Sequence, residues 1–186
     1  MEIVMIYMFL ANGFEEVEAL APLDLLRRAG CDVTTVGVGG SDTIVGAHGI
    51  AVGVDIPDTM FRDSKPEMII LPGGMPGTRH LDESHTVDAA LRTAIHSGAY
   101  VAAICAAPMV LGKRGYLKGK KAVCYPGFEE HLTGAILQPK DVKVVTDGKI
   151  ITAVGMGAAV EFGLELVEML QGEDVADALR SVIRAD

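Results

Sequence analysis

The residues best suited to chemistry gather around one thiol. Val101-Ala102-Ala103-Ile104 reads as the end of a buried strand, Cys105 follows, and Ala106-Ala107-Pro108 leads into an apolar, helix-like segment from Met109 to Leu111. Such a strand–turn–helix sets its turn at the carboxyl edge of a parallel sheet, where ligands bind. Unpaired N–H groups and the positive dipole end at a helix start favour thiolate, so the pattern predicts a nucleophilic Cys105 with a depressed pKa. A buried cysteine is also a common core residue, and the local pattern leaves both readings open.

Three acids, Glu15, Glu16 and Glu18, open a helix after the turn residues Asn12-Gly13. Glu15 and Glu18 share one side of it, and Glu16 points elsewhere. An ionised carboxylate would repel a thiolate, whereas a partly buried, protonated glutamic acid would donate a hydrogen bond to it. Acids at a helix start also simply suit the dipole. Gly73 and Gly74, after Pro72, are candidate backbone N–H donors to an oxyanion, or a plain turn. The chain has five histidines, His48, His80, His85, His96 and His131, none directly after Cys105. His80 and His131 are the two placed to partner the thiol, with a surface role as the alternative. Cys31 reads as structural. Cys124, at a strand end, is a second thiol near the site.

The elements that must position these residues alternate between strand and helix. A continuous apolar run over Glu2–Phe9 suits a strand covered on both faces. A helix follows over roughly Glu15–Ala29, with Gly30 as its stop and Pro22 as an expected kink. Cys31–Val38 is a strand. Thr43–Asp55 reads as two short strands, a hairpin at the sheet's edge, and Pro57–Pro66 as a loop. Glu67–Leu71 is a strand, Thr78–Ser84 a polar stretch, and His85–Ser97 a helix closed by Gly98. After the elbow helix, which ends near Arg114, come a short strand over Lys121–Tyr125 and a short helix through Leu132. Val142–Thr146 and Lys149–Val154 form a hairpin about Asp147-Gly148, a pair suited to a type I′ turn. Gly155-Met156-Gly157 makes a second glycine turn, followed by helices over Ala158–Gln171 and Glu173–Ile183. The expected class is α/β, a mostly parallel sheet flanked by helices with a small edge hairpin, in one domain over 1–186.

Composition narrows the function. A net charge of −9 argues against a nucleic-acid partner. Three widely spaced cysteines suit a reducing compartment better than a disulfide scaffold. No Cys/His cluster has zinc spacing, so no metal is expected. No apolar run is long enough for a bilayer, and the N-terminal run lacks a basic region and a cleavage site, so the expected location is cytoplasmic with no membrane partner.

Asn12-Gly13-Phe14-Glu15-Glu16-Val17-Glu18, Leu71-Pro72-Gly73-Gly74, Ala102-Ala103-Ile104-Cys105-Ala106-Ala107-Pro108 and Glu161-Phe162-Gly163-Leu164 together resemble the ThiJ/PfpI superfamily, in its DJ-one branch. The resemblance spans nearly the whole chain. It implies a flavodoxin-like sandwich, usually a homodimer, with the Glu15–Gly30 helix and its flanks as the shared surface. It implies Cys105 as an oxidation-sensitive nucleophile, Glu18 as its carboxyl partner, and Gly74 and Ala106 as backbone donors. It also implies cofactor-free activity on reactive carbonyls such as methylglyoxal, as glyoxalase or deglycase, or a non-enzymatic redox-sensing or chaperone-like role.

Departures from the family pattern bear on these expectations. Proteolytic relatives carry histidine where Ala106 stands, which speaks against protease activity, and no histidine follows His131 to complete an amidotransferase triad. Tyr125 occupies a position that is histidine in some branch members, and Gly155-Met156-Gly157-Ala158 replaces a loop that often ends in threonine. His48 stands where an arginine sometimes lines the pocket. Gly73, Tyr125, His131 and Gly157 are therefore the remaining pocket candidates.

Overall fold

A computed structural model of the chain describes residues 5–62 and 65–185. The expected first strand begins outside the described residues, at Glu2; its described part is β1, Ile6–Leu10, buried throughout. In chain order there follow α1 (Glu16–Arg28), β2 (Val33–Gly37), β3 (Thr43–Val45), β4 (Ala51–Gly53), β5 (Ile56–Pro57), β6 (Met68–Leu71), α2 (Gly77–Glu83) and α3 (His85–Ser97). The second half holds β7 (Tyr100–Ile104), α4 (Pro108–Lys113), β8 (Lys121–Ala122), β9 (Ile136–Leu137), β10 (Val144–Asp147), β11 (Ile150–Ala153), α5 (Ala159–Gln171) and α6 (Glu173–Val182).

The main sheet has seven strands in the order β10-β11-β7-β6-β1-β2-β5. All neighbours are parallel except the β10–β11 hairpin. From β1 the chain builds outward through β2 and β5, then returns to lay β6 and β7 on the other side. The order reverses between β1 and β6, and ligands of open α/β sheets bind at the carboxyl side of that reversal.

The strands alternate between two cores, as a period of two requires. Ile6, Met8 and Leu10 face a core shared with Leu23 and Leu26 of α1, Phe162 and Val167 of α5 and Leu179 of α6. Tyr7 and Phe9 face the other, with Leu81 of α2, Leu91 of α3 and Val110 of α4. Pro22 has no N–H for the carbonyl four residues back, so packing must hold α1 at that point. Gly163 serves it: a Cβ there would lie 2.9 Å from Pro22 Cα and 2.6 Å from Leu25 Cδ1.

Three expectations are adjusted. The hairpin over Thr43–Asp55 forms, but β3 and β4 make a two-stranded sheet of their own, and β5 supplies the main sheet's edge. The polar stretch after Gly77 is α2. The strand expected over Lys121–Tyr125 pairs only at Lys121 and Ala122, because Val123 turns its N–H to Thr152 Oγ1 at 3.0 Å and Tyr125 turns its own to Cys105 O at 2.8 Å.

Candidate active site

The three central strands each deliver one part of the site. Glu18 lies in the first turn of α1, after β1. Gly73 and Gly74 follow β6, and Cys105 follows β7. Cys105 takes φ of +65°, a left-handed conformation rare outside glycine. Its N–H donates to Ala153 O at 2.8 Å, and its carbonyl accepts from Tyr125 N at 2.8 Å. With the backbone fixed on both sides, the turn presents a half-buried thiol to the loops after β1 and β6.

Glu18 is 1 % exposed. Glu15 caps the helix by accepting the Glu18 N–H at 2.7 Å, which leaves the Glu18 side chain free to turn inward. Gly73 N–H donates to Glu18 Oε2 at 3.1 Å, Met156 N–H adds a second bond, and the carboxyl shares a hydrogen bond with the Cys105 thiol. Gly73 must be glycine for this approach. A Cβ there would stand 2.5 Å from Glu18 Oε2, 2.6 Å from Cys105 Cβ and 2.9 Å from Ile104 O. The backbone N–H groups of Gly74 and Ala106 both point at the Cys105 sulfur.

Burial is the largest influence on both groups. It pushes Glu18 up to about 7, with the charge of Glu15 adding to the rise and the hydrogen bonds from Cys105, Gly73 and Met156 opposing it. It pushes the Cys105 thiol up to about 12, with the charge and hydrogen bond of Glu18 adding to the rise and the N–H groups of Gly74 and Ala106 opposing it. This corrects the expected depressed thiol pKa. The elbow helix is only six residues long, and burial beside a carboxylate outweighs its N-terminal field. Each group lies in the other's field and they share one hydrogen bond, so they titrate as a pair.

Of the other pocket candidates, Tyr125 and Gly157 line a cavity of about 520 Å³ beside the pair. His131 does not: it sits on a 3₁₀ turn, Glu129–His131, with its carbonyl against Gly112 of α4 and its ring beside Phe128. His80 Nδ1 donates to Asn12 O, 2.9 Å away, and His96 Nδ1 donates to Arg92 O. The contacts of these three histidines and of His48 all lie away from the thiol. Cys124 is buried and lines the same cavity as Tyr125, and Cys31 packs against α5 through Gln171 Nε2.

Sequence reasoning passed over Met156 as a donor to Glu18, since a backbone N–H carries no residue signature. It also read Glu16 only as a dipole acid. Glu16 is buried and binds the β3–β4 hairpin to α1, accepting from His48 N at 2.7 Å on one oxygen and meeting His48 Nδ1 at 2.7 Å on the other. Glu15, Glu16 and His48 have ligand atoms within 4.8 Å of one another, but both Glu16 oxygens are already engaged in this clamp.

A doubly covered parallel sheet with a thiol on a left-handed strand–helix elbow, and a buried carboxyl against it at the reversal of strand order, defines a cysteine-elbow α/β protein. The model of the DJ-1/PfpI family matches residues 4–169, and the chain belongs to that family. It is 32 % identical over 168 residues to a Caenorhabditis elegans protein named glutathione-independent glyoxalase DJR-1.2, covering 89 % of this chain and 87 % of the relative. It is 37 % identical over 175 residues to Arabidopsis thaliana protein DJ-1 homolog A, covering 94 % of this chain but 45 % of that relative's length. Among solved structures, oxidized Toxoplasma gondii DJ-1 superposes with a TM-score of 0.92 at 33 % identity, covering 97 % of each chain. Among the described residues no helix is long and apolar enough to cross a membrane.

Proposed function

We propose that the chain is a cofactor-free glyoxalase that converts methylglyoxal and related 2-oxoaldehydes to 2-hydroxy acids through Cys105. The observation that carries the reading is the hydrogen bond that joins the buried Glu18 carboxyl to the Cys105 thiol, with one proton between them, beneath two backbone N–H groups. Passing that proton to Glu18 creates the thiolate when a substrate arrives, although the free thiol is a weak acid. The thiolate adds to the aldehyde carbon, and the new alkoxide takes the proton from Glu18, giving a hemithioacetal. In this reading the N–H groups of Gly74 and Ala106, which bond the sulfur in the free site, stabilise the developing oxyanion. Glu18, now ionised, removes the proton from the former aldehyde carbon, the hydroxyl proton passes to the neighbouring oxygen of the enediolate, and Glu18 returns its proton to the neighbouring carbon. The result is a 2-hydroxy thioester on Cys105. Water cleaves it, releasing the 2-hydroxy acid and restoring the thiol. The name of the C. elegans relative supports the same reading.

The test is glutathione-free conversion of methylglyoxal to lactate by the purified chain, Cys105→Ser and Glu18→Gln. Turnover in the wild type and its loss in both variants is expected. No turnover above a buffer blank in the wild type refutes the glyoxalase reading. A second reading, redox sensing, is favoured by the lack, among the described residues, of a histidine contact to the thiol. There Cys105 oxidises to sulfinic acid under peroxide and Glu18 donates to its oxygen. Intact mass under dilute peroxide separates the two. We further propose a homodimer through α1 and the β3–β4 hairpin, where Val17, Val45 and Ile50 are exposed.

A further inference from the structure

The cavity next to the thiol–carboxyl pair is lined by neither Cys105 nor Glu18 but adjoins them through Tyr125, Gly155 and Met156, and it is much larger than methylglyoxal needs. It has a volume of about 520 Å³, within the usual range for pockets that enclose drug-sized ligands. Two of its walls belong to the reactive site. Tyr125 is bonded to the Cys105 carbonyl through its N–H, and Met156 donates its own to Glu18. Gly155 stands between. A Cβ on it would lie 3.2 Å from the Tyr125 ring on one side and 3.7 Å from Glu18 Oε1 on the other. The missing side chain leaves the carboxyl and the cavity adjacent.

The lining is mainly apolar, with Val123, Cys124, Leu137 and Pro139 sharing it with Tyr125 and Met156. Its two charged residues offset each other: Glu129 accepts from Gly127 N at 2.7 Å and lies in the field of Lys140. A charged occupant finds no net counter-charge there, and a neutral apolar one exchanges water for carbon walls. Tyr125, Leu137 and Met156 are each about half exposed, so apolar surface remains for an occupant to cover.

We propose that this cavity is a subsite for a neutral apolar arm, straight alkyl or aryl, on the carbonyl compound that Cys105 attacks. Such 2-oxoaldehydes are then better substrates than methylglyoxal. The inference rests on the reading of Cys105 as the nucleophile, and its test does not require turnover. Iodoacetamide and N-hexyl-iodoacetamide each alkylate a thiol by forming a sulfur–carbon bond as iodide leaves, the thiol's proton passing to buffer. Their second-order rates at Cys105 are measured by intact mass and peptide mapping, with N-acetylcysteine as the free-thiol reference.

Relative to that reference, the hexyl reagent is expected to gain at least about tenfold at Cys105, since each well-buried methylene is worth roughly threefold to fourfold. Leu137→Trp, which narrows the cavity, cuts the gain and leaves the iodoacetamide rate unchanged; Leu137→Ala keeps the gain. A wild-type ratio equal to that of N-acetylcysteine overturns the proposal. So does Leu137→Trp slowing both reagents alike, or altering only the molar mass of the assembly. Methylglyoxal turnover without hexyl selectivity leaves the glyoxalase reading standing and the subsite refuted. Selectivity without turnover does the reverse.

Discussion

Replacing Glu18 by glutamine removes a charge that folding forces into a dry site, and the consequence for stability has a definite sign. Glutamine keeps the shape and an acceptor for the Gly73 N–H. In the folded chain Glu18 titrates at about 7, against an ordinary 4.5. The folded state therefore binds this proton more tightly than the unfolded one. The associated stability is fully present below 4.5 and is lost as pH rises through about 7. At about 1.4 kcal/mol for each unit of pKa, the complete loss is about 3 kcal/mol. Glu18→Gln has no proton to lose and escapes it. Urea unfolding under reducing conditions, at about pH 5 and at about pH 8, should show the stability of the variant relative to wild type rising by about 2 to 3 kcal/mol between the two. Cys105→Ser, which keeps the buried carboxyl, should follow the wild type. A difference between wild type and Glu18→Gln that stays flat across this window refutes the argument that burial dominates the carboxyl.

Three further outcomes follow from the same geometry. Gly73→Ala should destabilise the fold by about 1 to 3 kcal/mol by driving a methyl into Glu18, Cys105 and the Ile104 carbonyl, read as a lower urea midpoint with an unchanged slope. Methylglyoxal kcat/KM should rise with pH through about 7, because below it both groups of the pair carry protons and the site holds no anion; a profile flat through neutrality refutes the shared-proton mechanism. Ile50→Asp should convert a two-chain particle to a single chain by light scattering, since it charges the exposed apolar patch of the hairpin; a single-chain wild type at micromolar concentration sinks the dimer proposal.

The sequence was most informative where hydrophobic period and punctuation agree. The α3 helix runs between Ser84, whose hydroxyl caps Val87 N, and Gly98 in a left-handed conformation, and both signals are visible in the residues. The Asp147-Gly148 hairpin and α5 were legible for the same reason. By contrast, α2 carries one buried large apolar side chain, Leu81, so its period is too weak to read. The two-residue strand β9 is exposed on both residues and has no alternation to show. Within the site, residue types and turns pointed to Cys105, Gly73, Gly74 and a carboxyl among Glu15, Glu16 and Glu18, and the family resemblance singled out Glu18. The acidity of the thiol was misjudged because local reasoning sees the helix start and not the carboxyl that a distant segment lays against it. His131 looked near in sequence to the elbow, but the 3₁₀ turn packs it on α4 instead.

The position of the site in the sheet order bears on how the protein opens. Glu18, Gly73 and Cys105 hang from β1, β6 and β7, which are consecutive strands at the middle of seven. The outer strands β5 and β10 and the separate β3–β4 pair can exchange their amides through fraying while those three stay joined. The thiol–carboxyl contact therefore breaks only with the last cooperative unit to open. Slow labelling of Cys105 by a bulky reagent that cannot enter the folded site would then report global unfolding, and its rate would track the amides of Met8, Ile70 and Ala102 rather than those of the sheet's margins.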